Sequence, residues 1–302
     1  MVTKEKFSVR CADGVDLKGL LLIPDSPKAV VQFNGGTATK KEFYLPFLEY
    51  LADHNYLCCL WDYRGSGESA PKNMADCDYT FRDYGIKDMP AIKDYLTERF
   101  PNLSLLLFAH SVGGQQLGFM DNYEGYTGMV AFAISTGYLS HMPIGYRLQS
   151  IFFFHIFTPI SIWLTGYVKA KKFGIMENLP KNVVKEWRDW CMKPSYFFDE
   201  KFFGKTVPEG NFKRIPYPMQ IFWATDDPIS NTKSVPSFWN NVKSDRGISF
   251  TRLSPKEMNV KEIGHFGFFK RSMESVLWSK GLDNLDKFLD KKLHESGDRL
   301  AL

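Results

Sequence analysis

Ser111 is the first residue whose surroundings indicate chemistry. It lies in the segment AHSVG, directly after the apolar run LLLF, with Ala109 two positions before it and Gly113 two positions after it. Small residues at both positions suit a crowded turn from a strand into a helix, and such a turn lifts a seryl oxygen out of the backbone. The helix amino terminus beside that oxygen would stabilise an oxyanion. A serine that only caps a helix is the alternative, and these five residues leave it open.

A seryl hydroxyl becomes a useful nucleophile when a histidine accepts its proton and a carboxylate orients that histidine. Of the six histidines we single out His265, because it lies in the glycine-flanked loop EIGHFGFF between a predicted last strand and the last helix. The segment TDDPIS offers two carboxylates, Asp226 and Asp227, directly after another predicted strand. Neighbouring loop residues tend to point apart, so we expect only one of the two to reach His265.

The elements that must position these residues follow an alternating pattern. Short apolar runs predict strands at residues 17–24, 29–33, 56–61, 103–109, 128–136, 217–224 and 248–253. Amphipathic stretches predict helices at residues 43–54, 81–100, 232–240 and 271–294, with Pro90 as a kink or an effective start in the second. This alternation indicates an α/β fold with a mostly parallel sheet flanked by helices, in which the loops after the strands gather the site.

The alternation stops after residue 137 and resumes near residue 215. We therefore predict an α/β core at residues 1–137 and 215–302, with a helical lid, residues 138–214, inserted after the sixth core strand. Within the lid, residues 148–168 carry no formal charge, and such a run approaches the length of a membrane span. Polar residues interrupt the run, and a span there would divide the sheet. We expect it to line an apolar pocket, with contact to a membrane surface as the alternative.

The motifs together resemble the α/β-hydrolase superfamily, and more narrowly a set of predicted bacterial hydrolases of undefined substrate. They are DYRGSGES, AHSVGG, the pair DD and GHFGFF, and they depart from the usual pattern in having Ala109 in place of glycine. The resemblance implies an α/β-hydrolase fold with the chain order serine, acid, histidine, which differs from the chymotrypsin and subtilisin orders. It favours Asp227 over Asp226, because the acid commonly stands three residues after a small strand-end residue, here Ala224.

The same resemblance implies an oxyanion hole made of two backbone amides. One is the amide of Val112, after the nucleophile, and the other is the amide of Gly36 in the loop QFNGGTAT. Asn34 stands where the superfamily often has histidine, and we expect it to order the loop. We expect loop-ordering roles also for Asp62 and Arg64.

Composition limits the classes of protein. The 38 basic and 34 acidic residues give a net charge of +4 without a basic block, which argues against a nucleic-acid partner. The five cysteines lack the spacing of a metal site, and Cys58 and Cys59 lie in an apolar strand, so we expect reduced, buried thiols. The first residues show no signal-peptide pattern, so we expect a cytoplasmic location.

These observations predict a serine hydrolase that cleaves a carboxylic ester or thioester with an apolar acyl or alcohol group. Ser111 would attack, His265 would relay protons, and Asp227 would orient His265, with no metal or organic cofactor required. An acyltransferase with the same triad is one alternative, since the triad residues do not distinguish water from another acceptor. A non-catalytic binding protein on a hydrolase fold is the other. The substrate would be a small molecule, and the sequence predicts no oligomeric state.

Overall fold

A single sheet of eight strands forms the centre of the molecule. The computed structural model describes residues 1–300, with side chains to residue 292. The strands are β1 (Val2–Arg10), β2 (Asp16–Pro24), β3 (Ala29–Asn34), β4 (Tyr56–Trp61), β5 (Leu105–His110), β6 (Met129–Phe132), β7 (Met219–Ala224) and β8 (Ile248–Leu253). They are ordered β1-β2-β4-β3-β5-β6-β7-β8. Pairs involving β1 or β2 are antiparallel and the remaining pairs are parallel, so the predicted α/β class with a mostly parallel sheet is confirmed.

Helices cover both faces of this sheet. They are α1 (Leu45–Asp53), α2 (Met89–Arg99), α3 (Val112–Gln115), α4 (Ile144–Phe152), α5 (Thr158–Thr165), α6 (Lys181–Cys191), α7 (Ser234–Trp239) and α8 (Ser279–Leu300). Short π-helical turns precede α2 and α8 and join α4 to α5. Pro90 lies in the first turn of α2, directly after the π-helical turn Tyr84–Asp88, so it marks the start of that α-helix.

The central strands are buried on both faces, which is why they appear in the sequence as continuous apolar runs. Every residue of β3, β4, β5 and β6 is buried. Alternate side chains divide between two hydrophobic clusters. Leu107 faces the cluster that contains Ile92 of α2, and Phe108 faces the one that contains Phe47 of α1 and Leu285 of α8. Two helical layers therefore enclose the sheet.

The structure adds one strand to those predicted and shortens another. β1 has the sequence VTKEKFSVR, and most of its residues are exposed or half-buried because it pairs with β2 alone at the edge of the sheet. Because β1 contains several charged residues, it does not appear in the sequence as an apolar run. The strand predicted at residues 128–136 is confined to Met129–Phe132, because the chain turns at Ala133, which has a φ of 60°.

The segment between β6 and β7 contains one long apolar helix. α4, the π-helical turn and α5 together run from Ile144 to Thr165, and this is the one helix of the described residues that is long and apolar enough to cross a membrane. Only 17% of its most apolar window is buried. Its outward side, here called the outer face, carries eight exposed large apolar side chains: Ile144, Leu148, Ile151, Phe152, Ile156, Ile160, Trp163 and Leu164.

Candidate functional site

The backbone at Ser111 has the strained conformation expected of a nucleophile at a tight turn. Ser111 has a φ of 51° and a ψ of −119°. It is the single residue between the end of β5 at His110 and the start of α3 at Val112. Its side chain makes no hydrogen bond that caps α3, so the alternative capping role is not the one it has here. A Cβ at Gly113 would overlap the carbonyl oxygen of Asn34, which explains the need for glycine at that position.

His265 and Asp227 form a direct pair. His265 Nδ1 lies 2.7 Å from Asp227 Oδ2, and both side chains are buried. The other carboxylate oxygen of Asp227 accepts hydrogen bonds from the amides of Ile229 and Ser230, at 2.7 and 3.0 Å. The carboxylate is thus fixed from both sides, and Nδ1 of His265 donates to it. This leaves the lone pair on Nε2 of His265 as the basic site.

The neighbouring acid, Asp226, faces another direction. It is exposed, and its Oδ2 accepts a hydrogen bond of 2.8 Å from the amide of Ile263. Asp226 therefore holds the loop that leads to His265, whereas Asp227 contacts His265 itself. The expectation that only one of the two neighbours reaches the histidine agrees with this geometry, and the contact favours Asp227.

Three strand ends bring these residues to one edge of the sheet. Ser111 follows β5, Asp227 follows β7, and His265 lies in the connection after β8. Because β5, β6, β7 and β8 are parallel, their carboxyl ends meet at the same edge. Ser111 and His265 both line a cavity of about 640 Å³ at this edge.

The cavity is largely apolar, and the segment between β6 and β7 supplies much of its wall. Tyr146, Ser150, Phe153 and Phe154 line it from the long helix, on the side opposite the outer face. Trp187 of α6 lines it too and packs edge-on against Phe154, with ring centroids 5.0 Å apart. Burial raises the pKa of the Tyr146 hydroxyl to about 12, and the nearby Asp227 carboxylate adds to this effect. The hydroxyl of Tyr146 thus stays protonated at neutral pH.

The two predicted oxyanion amides differ in their surroundings. The amide of Val112 is at the first position of α3, where a helix offers it no acceptor of its own, and it adjoins Ser111. The amide of Gly36 instead donates a hydrogen bond of 2.8 Å to the Tyr44 hydroxyl. The Gly36 amide is therefore already engaged in this conformation, and no sequence motif indicates this contact.

Tyr44 extends this contact into a buried chain of hydrogen bonds. His110 Nε2 lies 2.9 Å from the carbonyl oxygen of His265, and a carbonyl only accepts, so Nε2 carries the proton. Nδ1 of the same ring must then accept, and the Tyr44 hydroxyl donates to it at 2.8 Å. The chain runs from Gly36 through Tyr44 and His110 to His265. It links the loop after β3, the residue before Ser111 and the backbone of the candidate base.

His110 stays neutral in this chain. Its ring is fully buried, and this burial, together with the nearby His265, holds the pKa of His110 well below its usual range. Sequence analysis missed both Tyr44 and His110 as parts of the site. His110 is next to Ser111 in the sequence, but no motif indicates the contact of Tyr44 with it.

Three other residues singled out in the sequence order loops around the site. Asn34 is buried, and its side chain donates to the carbonyl oxygen of Gly113 at 3.3 Å. Asp62 is buried and accepts from both the amide and the ammonium of Lys41, at 3.0 and 2.7 Å. Arg64 is paired with Asp88 at 2.6 Å. None of the three lines the cavity.

Comparison with known proteins relates this architecture to a family and to solved structures. Residues 25–162, somewhat under half of the chain, match the model of the serine aminopeptidase family S33. No curated protein sequence matches the chain.

An esterase of Pyrococcus furiosus is similar in structure, with 17% identity and a TM-score of 0.58 over 96% of this chain and 93% of that one. An α/β hydrolase of a Penicillium species has 15% identity and a TM-score of 0.57, over 96% and 98% of the two chains. The esterase domain of a Rhodothermus marinus protein has 14% identity and a TM-score of 0.54, over 92% and 97%.

The chain has the α/β-hydrolase fold. The sheet order, the turn at Ser111 and the structural similarity over nearly the whole chain agree on this point. The resemblance of its motifs to the α/β-hydrolase superfamily is thereby confirmed.

Proposed function

We propose that the protein is a serine hydrolase that cleaves a carboxylic ester or thioester with an apolar acyl or alcohol group. The observation that supports this most is that Ser111 lines the same cavity as His265, whose ring is held by Asp227. The Ser111 oxygen attacks the substrate carbonyl while His265 Nε2 accepts its proton. The tetrahedral intermediate expels the alcohol or thiol, which takes that proton from His265. Water then releases the acyl group by the same steps.

The amide of Val112 holds the negative oxygen of the tetrahedral intermediate in this proposal. It adjoins Ser111 and has no acceptor within its own helix, so it is available to a developing oxyanion. The amide of Gly36 joins it when the Tyr44 hydroxyl moves away from its present hydrogen-bonding distance of 2.8 Å. The segment 138–214 acts as the lid, because side chains of its long helix line the same cavity as Ser111.

Charge around the cavity favours an ester over a peptide with a free amino terminus. An aminopeptidase must bind the substrate ammonium, and a free carboxylate is the usual group for this. Among the described residues that line the cavity, Glu177 is the only acid, and Lys171 donates to it at 3.3 Å. The apolar wall formed by Phe153, Phe154 and Trp187 is suited to a hydrocarbon chain.

A panel of soluble substrates tests this proposal. It contains p-nitrophenyl esters from acetate to decanoate, the matching acyl thioesters, and amino-acid p-nitroanilides. We expect hydrolysis of the esters or thioesters, little or no hydrolysis of the anilides, and loss of hydrolysis in the Ser111→Ala protein. Preferred cleavage of the anilides would favour a peptidase. Acyl transfer to an added alcohol, at the expense of hydrolysis, would favour an acyltransferase.

A further inference from the structure

The outer face of the long helix is an unusual surface for a folded chain. Its eight large apolar side chains recur every three or four residues, so they lie on one side of the helix. Trp163 is 83% exposed and Leu164 is 65% exposed. Exposed apolar patches of this extent mark a surface that another molecule covers. From Leu148 to Val168 no residue carries a formal charge, and Arg147, in the first turn of the helix, is its one charged residue.

The inner side of the same helix is fixed to the protein. Phe154, Thr158 and Ser161 are buried against the rest of the chain. The Ser161 hydroxyl accepts from the amide of Lys169 at 2.9 Å and donates to the carbonyl oxygen of Tyr167 at 3.1 Å. A helix that crossed a bilayer would have to give up these contacts and expose Thr158 and Ser161 to lipid. The geometry therefore favours a helix that lies on a membrane over one that spans it.

Positive charge lies at the carboxyl end of the outer face. Lys169, Lys171 and Lys172 follow the helix within seven residues of its end at Thr165. Lys171 and Lys172 are exposed, as is the large apolar side chain of Phe173 beside them. Cations next to an exposed apolar surface complement anionic lipid headgroups. A second copy of this chain would bring the same lysines, and so the same charge, to such an interface.

We propose that the outer face docks on the surface of a membrane that contains anionic lipids. The apolar side chains enter the interfacial layer, and the lysines contact the headgroups. The cavity rim carries two further exposed apolar residues, Ile175 and Phe266, and the inner side of the docked helix forms the cavity wall. Docking thus places the cavity wall against the membrane. This inference goes beyond the proposed function, since docking requires no catalysis.

Cosedimentation with vesicles tests the proposal directly. The probes are vesicles of phosphatidylcholine alone and vesicles with about one third phosphatidylglycerol. We expect the wild-type protein to bind the anionic vesicles and to bind the neutral vesicles more weakly. Alkaline carbonate should release the bound protein from both. A double variant, Ile160→Glu with Trp163→Glu, should lose at least about tenfold in partition, because two large apolar side chains no longer enter the lipid. The Phe250→Glu variant is the control and should bind as wild type, since Phe250 is 49% exposed and belongs to β8, not to this helix.

The lysines provide an independent variant. Lys169→Glu combined with Lys172→Glu should remove the preference for anionic vesicles and leave binding to neutral vesicles unchanged. Circular dichroism and thermal unfolding confirm that each variant is folded. Because the readout is sedimentation, failure of docking is distinguishable from absence of esterase activity.

Several results would overturn the proposal. One is a wild-type protein that remains in the supernatant with both kinds of vesicle. Another is a folded Ile160→Glu, Trp163→Glu protein that sediments as well as the wild type. A dimer in light scattering that this double variant dissociates would assign the outer face to a second copy of the chain. Resistance to alkaline carbonate would indicate a spanning helix.

Discussion

At the residue scale, the two neighbouring acids give the sharpest test of the candidate triad. Asp227 contacts His265 Nδ1 at 2.7 Å, whereas Asp226 accepts from the amide of Ile263. Asp227→Asn should place His265 in the wrong tautomer and lower kcat by about 10⁴, the size of effect known for such a change in other triads. Asp226→Asn, the matched control, should cost far less. Steady-state kinetics of both proteins checks this, and the reverse order would transfer the role to Asp226.

The buried ring of His110 predicts a pH dependence of stability. Its pKa in the folded protein is lowered, by burial first and by His265 second. Between its ordinary value and that lowered value, the unfolded chain takes up a proton that the folded protein refuses. Stability should therefore fall as the pH drops below about 6.5, by up to about 1.4 kcal/mol per pH unit for this group.

A variant isolates the contribution of His110 from those of other groups. His110→Asn removes the titrating ring, so its free energy of unfolding should fall less steeply than that of the wild type between about pH 6.5 and pH 5. Chemical denaturation at a series of pH values provides the two curves. Parallel curves would show that His110 does not titrate differently in the two states.

At the element scale, the long helix has two sides with separable roles. Phe153 lines the cavity, whereas the adjacent Phe152 is 55% exposed on the outer face. Each methylene that the cavity buries should raise kcat/KM by about fourfold, which corresponds to about 0.8 kcal/mol, until the cavity is full. Phe153→Asp should remove most of this gain and affect acetate esters little. Phe152→Asp, the matched control, should keep the dependence of kcat/KM on chain length. If Phe153→Asp instead lowered kcat/KM equally for short and long esters, Phe153 would be a core residue rather than one that contacts substrate.

Much of the fold could be predicted at this scale, because the elements carry strong local patterns. The strands β4 and β8 begin and end where the sequence predicts them, and AHSVG indicates the turn at Ser111. β1 was missed, since its burial depends on a partner strand and its alternate residues are charged. The contact between Tyr44 and His110 joins residues 66 positions apart through a single hydrogen bond, and no periodicity encodes such a contact.

At the scale of the whole molecule, the five cysteines are relevant to the cellular compartment of the protein. All five are free thiols, and four of them are buried: Cys11, Cys58, Cys59 and Cys191. Burial raises the pKa of the Cys11 thiol to about 12 and raises those of Cys58, Cys59 and Cys191 as well. Free thiols suit a reducing compartment, and we retain a cytoplasmic location as a proposal.

The same burial predicts how the thiols react. In the native protein a thiol reagent should modify Cys77 first, because it is the one partly exposed cysteine, and the other four should react only after unfolding. Counting modified thiols by intact mass, with and without denaturant, checks this. Rapid modification of four or five thiols in the native state would contradict the burial of the sheet and of α6.

Fluorophosphonate labelling, read by intact mass and peptide mapping, tests whether Ser111 is the reactive nucleophile of the native protein. We expect one label on the native protein, located at Ser111, and none after Ser111→Ala or prior unfolding. Ser150→Ala removes a different hydroxyl that lines the same cavity, and that protein should still take the label at Ser111. A native protein that takes no label under conditions where a control esterase does, or that takes it at another residue, would show that Ser111 is not the nucleophile of a serine hydrolase.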